Sequence, residues 1–166
     1  AEQCALYEIM EANFQEYICG SHVPLRKIGV RRPQRILPMS PQIYLNFGKG
    51  YKRQNSYYAS QQLDGKGVVE LKIGVTPNMS GVRIDPANVP CIVRILELEC
   101  GGKEKYVPDY QINGIKAGQN IILYNTIDSP IHINKLEKGT TYVYVKLEIT
   151  ELSQEAAEAL AKKGKG

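Results

Sequence analysis

Two hydrophobic periods divide the chain. Over residues 1–20, "AEQCALYEIMEANFQEYICG", the apolar residues Leu6, Met10, Phe14 and Ile18, with Tyr17 beside the last, recur at helical spacing on one stripe. Glu2 and Glu8 suit the positive end of a helix dipole, and Gly20 stands where a C-terminal cap belongs, so an N-terminal helix is predicted over 1–20. Its stripe requires cover from the rest of the domain or from a partner. Residues 21–40 then bring Pro24, Pro33 and Pro38 together with Arg26, Lys27, Arg31, Arg32 and Arg35. That composition neither sustains a helix nor alternates, and it reads as a linker or a basic strap lying on a surface.

From Pro41 the period becomes two. "QIYLNF" puts Ile43, Leu45 and Phe47 on one face and Tyr44 and Asn46 on the other, while "VVELKIGV" sets Val69, Leu71, Ile73 and Val75 against Glu70 and Lys72. "CIVRILELEC" alternates less cleanly, with Ile92, Leu96 and Leu98 facing one way and Val93 and Ile95 the other, which predicts a strand partly buried on both faces. "QNIILYNT", "IHINKL" and "TYVYVKLEIT" follow between turn signals, the last with Val143, Val145, Leu147 and Ile149 inward and Tyr142, Tyr144, Lys146 and Glu148 outward. Seven or eight short strands with no helical pattern between them predict an all-β fold, an antiparallel β-sandwich over 41–150. Over 151–166, "SQEAAEALAKKG" opens on the capping residue Ser153 and predicts a short C-terminal helix, or the root of a longer connector.

At 166 residues the chain has the length of about one domain, and a domain of this size buries roughly 70% of its unfolded surface, enough for a core without metal or disulfide. The apolar share of 43% excludes a disordered tail as its main content. Eleven Tyr against two Phe and no Trp suit half-exposed sheet faces and equally suit stacking of sugars or bases. Cys4, Cys19, Cys91 and Cys100 form no CxxC pair, and Cys91 and Cys100 bound one extended run, too far apart to bridge, so reduced thiols in a cytoplasmic setting are expected. No charged-then-apolar leader is seen, and no apolar run approaches the roughly 18 residues of a membrane span, so no transmembrane segment is expected. Because the chain begins with Ala and stops at "KKGKG", it reads as a piece of something larger.

The net charge of +4 hides an asymmetry. No acid lies between Glu16 and Asp64, where Arg26, Lys27, Arg31, Arg32, Arg35, Lys49, Lys52 and Arg53 make eight positive charges. Such a segment attracts phosphates, acidic polysaccharide or anionic headgroups, or docks on an acidic neighbouring domain, or is simply solvated.

Catalytic signatures are missing. His22 and His132 have no Cys or carboxylate at ligand or triad spacing, "GKGYKRQNS" lacks the GK[ST] and helix of a phosphate loop, and there is no DxD pair for a metal, so neither metal nor cofactor is implied. Glu97 and Glu99 share a strand face, whereas a retaining glycosidase pair faces across a substrate about 5 Å apart. Asp85 opens "DPAN", the pattern of a type I turn in which Asp85 accepts backbone hydrogen bonds, Pro86 presets φ and Asn88 closes the corner; a metal or ligand role is the alternative.

"PQIYLNFGKGYKRQNSYY" and "GVRIDPANVPCIVRILEL" resemble the β-sandwich module found beside family 2 glycosyltransferase domains in bacterial enzymes that build cell-surface polysaccharides such as rhamnose-rich and O-antigen glycans. Gln42, Tyr44, Gly48 and Gly50 fit its first pattern, and Arg83, Asp85 and Pro86 its second, over roughly 41–150. Asn46 stands where that family commonly has Asp, and "YKRQNS" replaces an acidic run. The resemblance implies a jelly-roll, galactose-binding-like sandwich of carbohydrate-binding type, without chemistry of its own, in a cytoplasmic glycosyltransferase that holds it at the inner membrane surface. Its expected partners are a glycan or the adjacent transferase domain. If the first and last strands pair, Tyr44 and Asn46 join Tyr142 and Tyr144 on one face as a sugar site. The alternatives are that these tyrosines are covered by the N-terminal helix, that the domain is a structural spacer with no ligand, or that the basic residues 26–53 bind a phosphate-rich partner.

Overall fold

In a computed structural model, residues 40–165 are described. The expected N-terminal helix and the basic strap with Arg26, Lys27, Arg31, Arg32 and Arg35 lie outside them. Ten strands and one helix follow: β1 (Gln42–Asn46), β2 (Tyr51–Tyr58), β3 (Val68–Gly74), β4 (Gly81–Asp85), β5 (Cys91–Gly102), β6 (Gln111–Ile112), β7 (Ile115–Gly118), β8 (Ile121–Tyr124), β9 (Ile131–Ile133), β10 (Thr140–Glu151) and α1 (Gln154–Lys165). They form two antiparallel five-stranded sheets, β2-β1-β4-β9-β6 and β3-β10-β5-β8-β7. The inner positions of both sheets meet in one core: Ile43, Val82, Ile84, Ile131 and Ile133 from the first, Leu71, Ile73, Val93, Val143, Val145 and Leu147 from the second. The period-two readings of β1, β3 and β10 hold because each places its β-branched and Leu residues on that inner face.

The count exceeds the expected seven or eight because β2, β6 and β7 carry no alternation. β2, "YKRQNSYY", is an edge strand, and its lysine, arginine and glutamine are exposed, so pairing with β1 and not burial makes it a strand. The hairpin to it needs positive φ at Gly48 (96°) and Gly50 (87°), and the Oδ1 of Asn46 accepts hydrogen bonds from both of their amides, at 2.8 and 3.0 Å. Phe47, expected beside Ile43 and Leu45 in the core, lies beyond the end of β1 and is exposed.

The uneven alternation of β5 has a definite cause. Ile95 pairs with Leu147 and Glu97 with Lys146, which leaves Leu96 without a partner as a β-bulge, 40% exposed. Val93 and Ile95 before the bulge and Leu98 and Cys100 after it therefore face the same core. The expectation that Ile92, Leu96 and Leu98 share a face fails because the extra residue resets the phase.

Ile92 is buried for another reason. Ile92, Ile121, Leu123 and Leu152 belong with Ala156, Ala157, Leu160 and Ala161 of α1 to a buried set apart from the main core. The helix is capped by Ser153, whose Oγ accepts from the Ala156 amide at 3.1 Å, and its small residues let it lie close against β7 and β8. Within the described residues the expected short C-terminal helix is present, and it covers the outer face of the second sheet over β7 and β8. Cys91 and Cys100, towards opposite ends of β5, are both buried, and neither is in a disulfide.

Candidate functional site

β1 pairs with β2 and β4, and β10 with β3 and β5. The first and last strands thus belong to different sheets, and Tyr44 and Asn46 face away on the opposite side of the core from Tyr142 and Tyr144. The expected four-residue face does not form, because alternation sets which way a side chain points but not which strand lies next to it. Asn46 is occupied in the hairpin described above. The other three residues sit on two separate outer faces.

On the second sheet, the half that α1 leaves open is organised in rows across β3, β10 and β5. Glu70 and Glu97 flank Lys146, Lys72 and Glu99 flank Tyr144, and Gly74 and Gly101 flank Tyr142. The glycines matter. A Cβ at Gly101 would collide with the Tyr142 ring and hydroxyl, and one at Gly74 would meet nothing, so the ring lies over a strand without a side chain beneath it. Beside this ring lies an open groove of about 560 Å³, lined by Lys72, Glu97, Leu98, Glu99, Lys105 and the two tyrosines.

Its polar atoms are tied together diagonally. Tyr142 donates its hydroxyl to Glu99 Oε2 at 2.7 Å, Tyr144 donates to Glu70 Oε1 at 2.7 Å, and Lys72 Nζ stands 4.7 Å above the centre of the Tyr142 ring. Lys146 approaches Glu97 at 3.7 Å and Lys105 approaches Glu99 at 3.9 Å. Hydrogen bonding to the Glu70 carboxylate pushes Tyr144 up to about 12, and the bond to Glu99 raises Tyr142 in the same direction, so both phenols stay neutral donors at physiological pH. Glu97 and Glu99 project side by side from one strand, each beside its own lysine, and do not oppose one another across a cleft. The groove offers rings, phenols, carboxylate acceptors and ammonium donors, the means of binding a hydroxylated ligand. Period two puts Glu70 and Lys72 on an outer face without marking them as a site, and Gly74, Gly101 and Lys105 carry no pattern that singles them out except glycine inside a strand.

On the first sheet, Arg83 of β4 stands between Tyr44 of β1 and His132 of β9. Its Nε and Nη2 donate to Asp85 Oδ1 and Oδ2 at 2.7 and 2.8 Å, Nη2 also reaches Asp128 Oδ1 at 3.1 Å, and the guanidinium lies 4.7 Å from the centre of the Tyr44 ring. Hydrogen bonding to Asp85 raises the pKa of Arg83 further. The turn reading of Asp85 is corrected here: it is the last residue of β4, two residues from Arg83 on the same strand face, and its carboxylate holds a guanidinium and not backbone amides. The chain does change course after Pro86, and that connection is clamped at Ala87, whose carbonyl accepts from the buried Ser129 hydroxyl at 2.6 Å. Burial and the nearby Arg83 hold His132 below the usual histidine range; its Nε2 is buried with no hydrogen-bond partner among the described residues, and Tyr51 packs on it at 5.3 Å between ring centres.

Among the described residues no three His, Cys, Asp or Glu side chains converge on a metal-sized site, and no helix is long and apolar enough to cross a membrane. Compared with protein-family models, curated proteins and solved structures, the chain matches none.

Proposed function

We propose that this chain is a non-catalytic carbohydrate-binding-like module that holds a glycan in the groove over β3, β10 and β5. The observation that carries the reading is the Tyr142 ring set between Gly74 and Gly101, with Tyr144, Glu70 and Glu99 around it. An aromatic ring laid on one strand at Gly101, with open strand on its Gly74 side, accepts the apolar face of a sugar, and the surrounding acceptors take its hydroxyl protons. The resemblance to modules beside bacterial family 2 glycosyltransferases supports the same ligand class and an accessory role in surface-polysaccharide assembly. A jelly-roll type belongs to this reading too: from β2 to β7 each successive strand changes sheet, as do β9 and β10, a crossing pattern of that kind.

Lys72 guards the ring and has to swing aside for a ligand. An exposed cation over an aromatic ring contributes about 0.5–1 kcal/mol, so Lys72→Ala should tighten binding by about two- to five-fold. Titration calorimetry against neutral rhamnan-type and other hexose oligosaccharides is the test. Heat is expected from the wild type and from Lys72→Ala, and none from a Tyr142→Ala, Tyr144→Ala double variant with an unchanged urea midpoint. No heat from any of the three, or equal heat from wild type and double variant, removes the sugar from this groove and leaves a spacer domain positioning its neighbours.

A further inference from the structure

The other outer face is not used by this reading, yet it carries the more rigid polar cluster. Arg83 is held in its own plane by Asp85 and rests on Tyr44, so its donors point in fixed directions. Nε and Nη2 are engaged; Nη1, with two N–H groups, has no acceptor among the described residues. Asp128, on the loop between β8 and β9, has 55% of its side chain exposed and takes only a long hydrogen bond from Asn113 Nδ2, at 3.4 Å, on its second oxygen. Acceptor, donor and acceptor therefore stand in sequence along this face, as Asp128, Arg83 and Asp85.

One aromatic ring here has no evident structural role. Tyr58 is 67% exposed and pairs directly with Gln42, which pairs with Asp85 on its other side, so Tyr58, Gln42 and Asp85 share the outer face. Two strand spacings, about 10 Å, separate Tyr58 from Asp85. A flat aromatic surface thus lies within one or two ring widths of an alternating acceptor and donor strip.

We infer that this face, built from Tyr58, Arg83, Asp85 and Asp128, is a second ligand site, and that its ligand is a polyol carrying vicinal hydroxyls. The chemistry is reciprocal. Each hydroxyl of a vicinal pair is both donor and acceptor, so one donates to the Asp128 carboxylate while its neighbour accepts from Arg83 Nη1, and a neighbouring ring of the same glycan, two strand spacings away, rests on Tyr58. A ligand with only acceptors, such as phosphate, would gain Arg83 and face the repulsion of two aspartates. The site stands apart from the groove on the second sheet, across the whole core, and a chain with both would hold two segments of glycan at once.

The experiment is amide-resolved NMR titration of the full chain with methyl glycosides of di- and trisaccharides bearing a free vicinal diol, and with the same glycosides O-methylated on that diol. The expected result is saturable shifts at Tyr44, Arg83, His132 and Tyr58 with the free diol alone. Asp128→Asn, at an exposed loop position, should weaken those shifts about five-fold, the loss of one charge-assisted hydrogen bond at a partly solvated site, and Tyr58→Ala should do likewise. Shifts on this face that persist in the Tyr142→Ala, Tyr144→Ala variant support the inference whatever becomes of the groove. Shifts confined to Tyr142, Tyr144 and their neighbours overturn it and leave the groove standing. Equal response to the methylated glycoside, or to inorganic phosphate, also overturns it.

Discussion

Replacing Arg83 by Met separates a half-buried ion pair from a solvated one. The side chains of Arg83 and Asp85 are 23% and 16% exposed, and the substitution removes two hydrogen bonds at 2.7 and 2.8 Å, the contact with Asp128 and the stacking on Tyr44, while leaving the Asp85 carboxylate with little water. An exposed pair contributes about 0–1 kcal/mol, whereas breaking a buried one costs about 3–5. The geometry lies between these limits, so about 2 kcal/mol is expected for Arg83→Met, most of it the cost of stranding Asp85. Asp85→Asn keeps an oxygen for one N–H and leaves Asp128 in place, and should cost about 1 kcal/mol. In the double variant neither charge of the pair remains, so its loss should fall short of the sum by about 1 kcal/mol. Urea titration at neutral pH measures all four proteins, and a repeat in high salt should change the coupling little, because water is largely excluded between the groups. Additive losses, with Arg83→Met within about 0.5 kcal/mol of wild type, would show an ordinary surface ion pair; the fixed guanidinium and the second site built on it would go together.

Two further outcomes test other parts of the fold. His132 is held below its unfolded pKa by burial and by Arg83, with Asp85 and Asp128 acting in the opposite sense, so the unfolded chain binds more protons as pH falls below about 6.5; stability should fall with it, and His132→Phe, which keeps a ring against Tyr51, should flatten that slope in urea titrations below about pH 6.5. Ala157 is fully buried where α1 meets the sheet, so Ala157→Asp should cost about 3 kcal/mol and release the helix, seen as rapid hydrogen exchange across 154–165 with β10 still protected; protected helix amides in that variant would refute the packing.

The parts of this protein that were legible are those decided by local periodicity. Val143, Val145, Leu147 and Ile149 had to face one way in any extended strand, and Ser153 with its alanines had to begin a helix. Asp85 shows where locality stops: "DPAN" fits a turn by every short-range rule, but Arg83 lies two residues back on the same face, and a bidentate guanidinium outcompetes backbone amides for the carboxylate. Leu96 shows the same limit, since a bulge is visible only when the partner strand is known and Ile95 and Glu97 are seen to oppose consecutive residues of β10.

The sequence by itself thus determined a β-rich body over the described residues, the inward and outward faces of its principal strands and its last helix, because these follow from pleat, helical pitch and capping within a few residues. Tertiary structure alone decided that Tyr44 and Tyr142 stand on opposite sides of the core, that α1 covers part of one sheet, and that the Tyr142 ring lies over Gly101 beside a groove on the part left open. Those outcomes depend on which strands become neighbours, and that choice is made by burial summed over the whole core, which no local window contains.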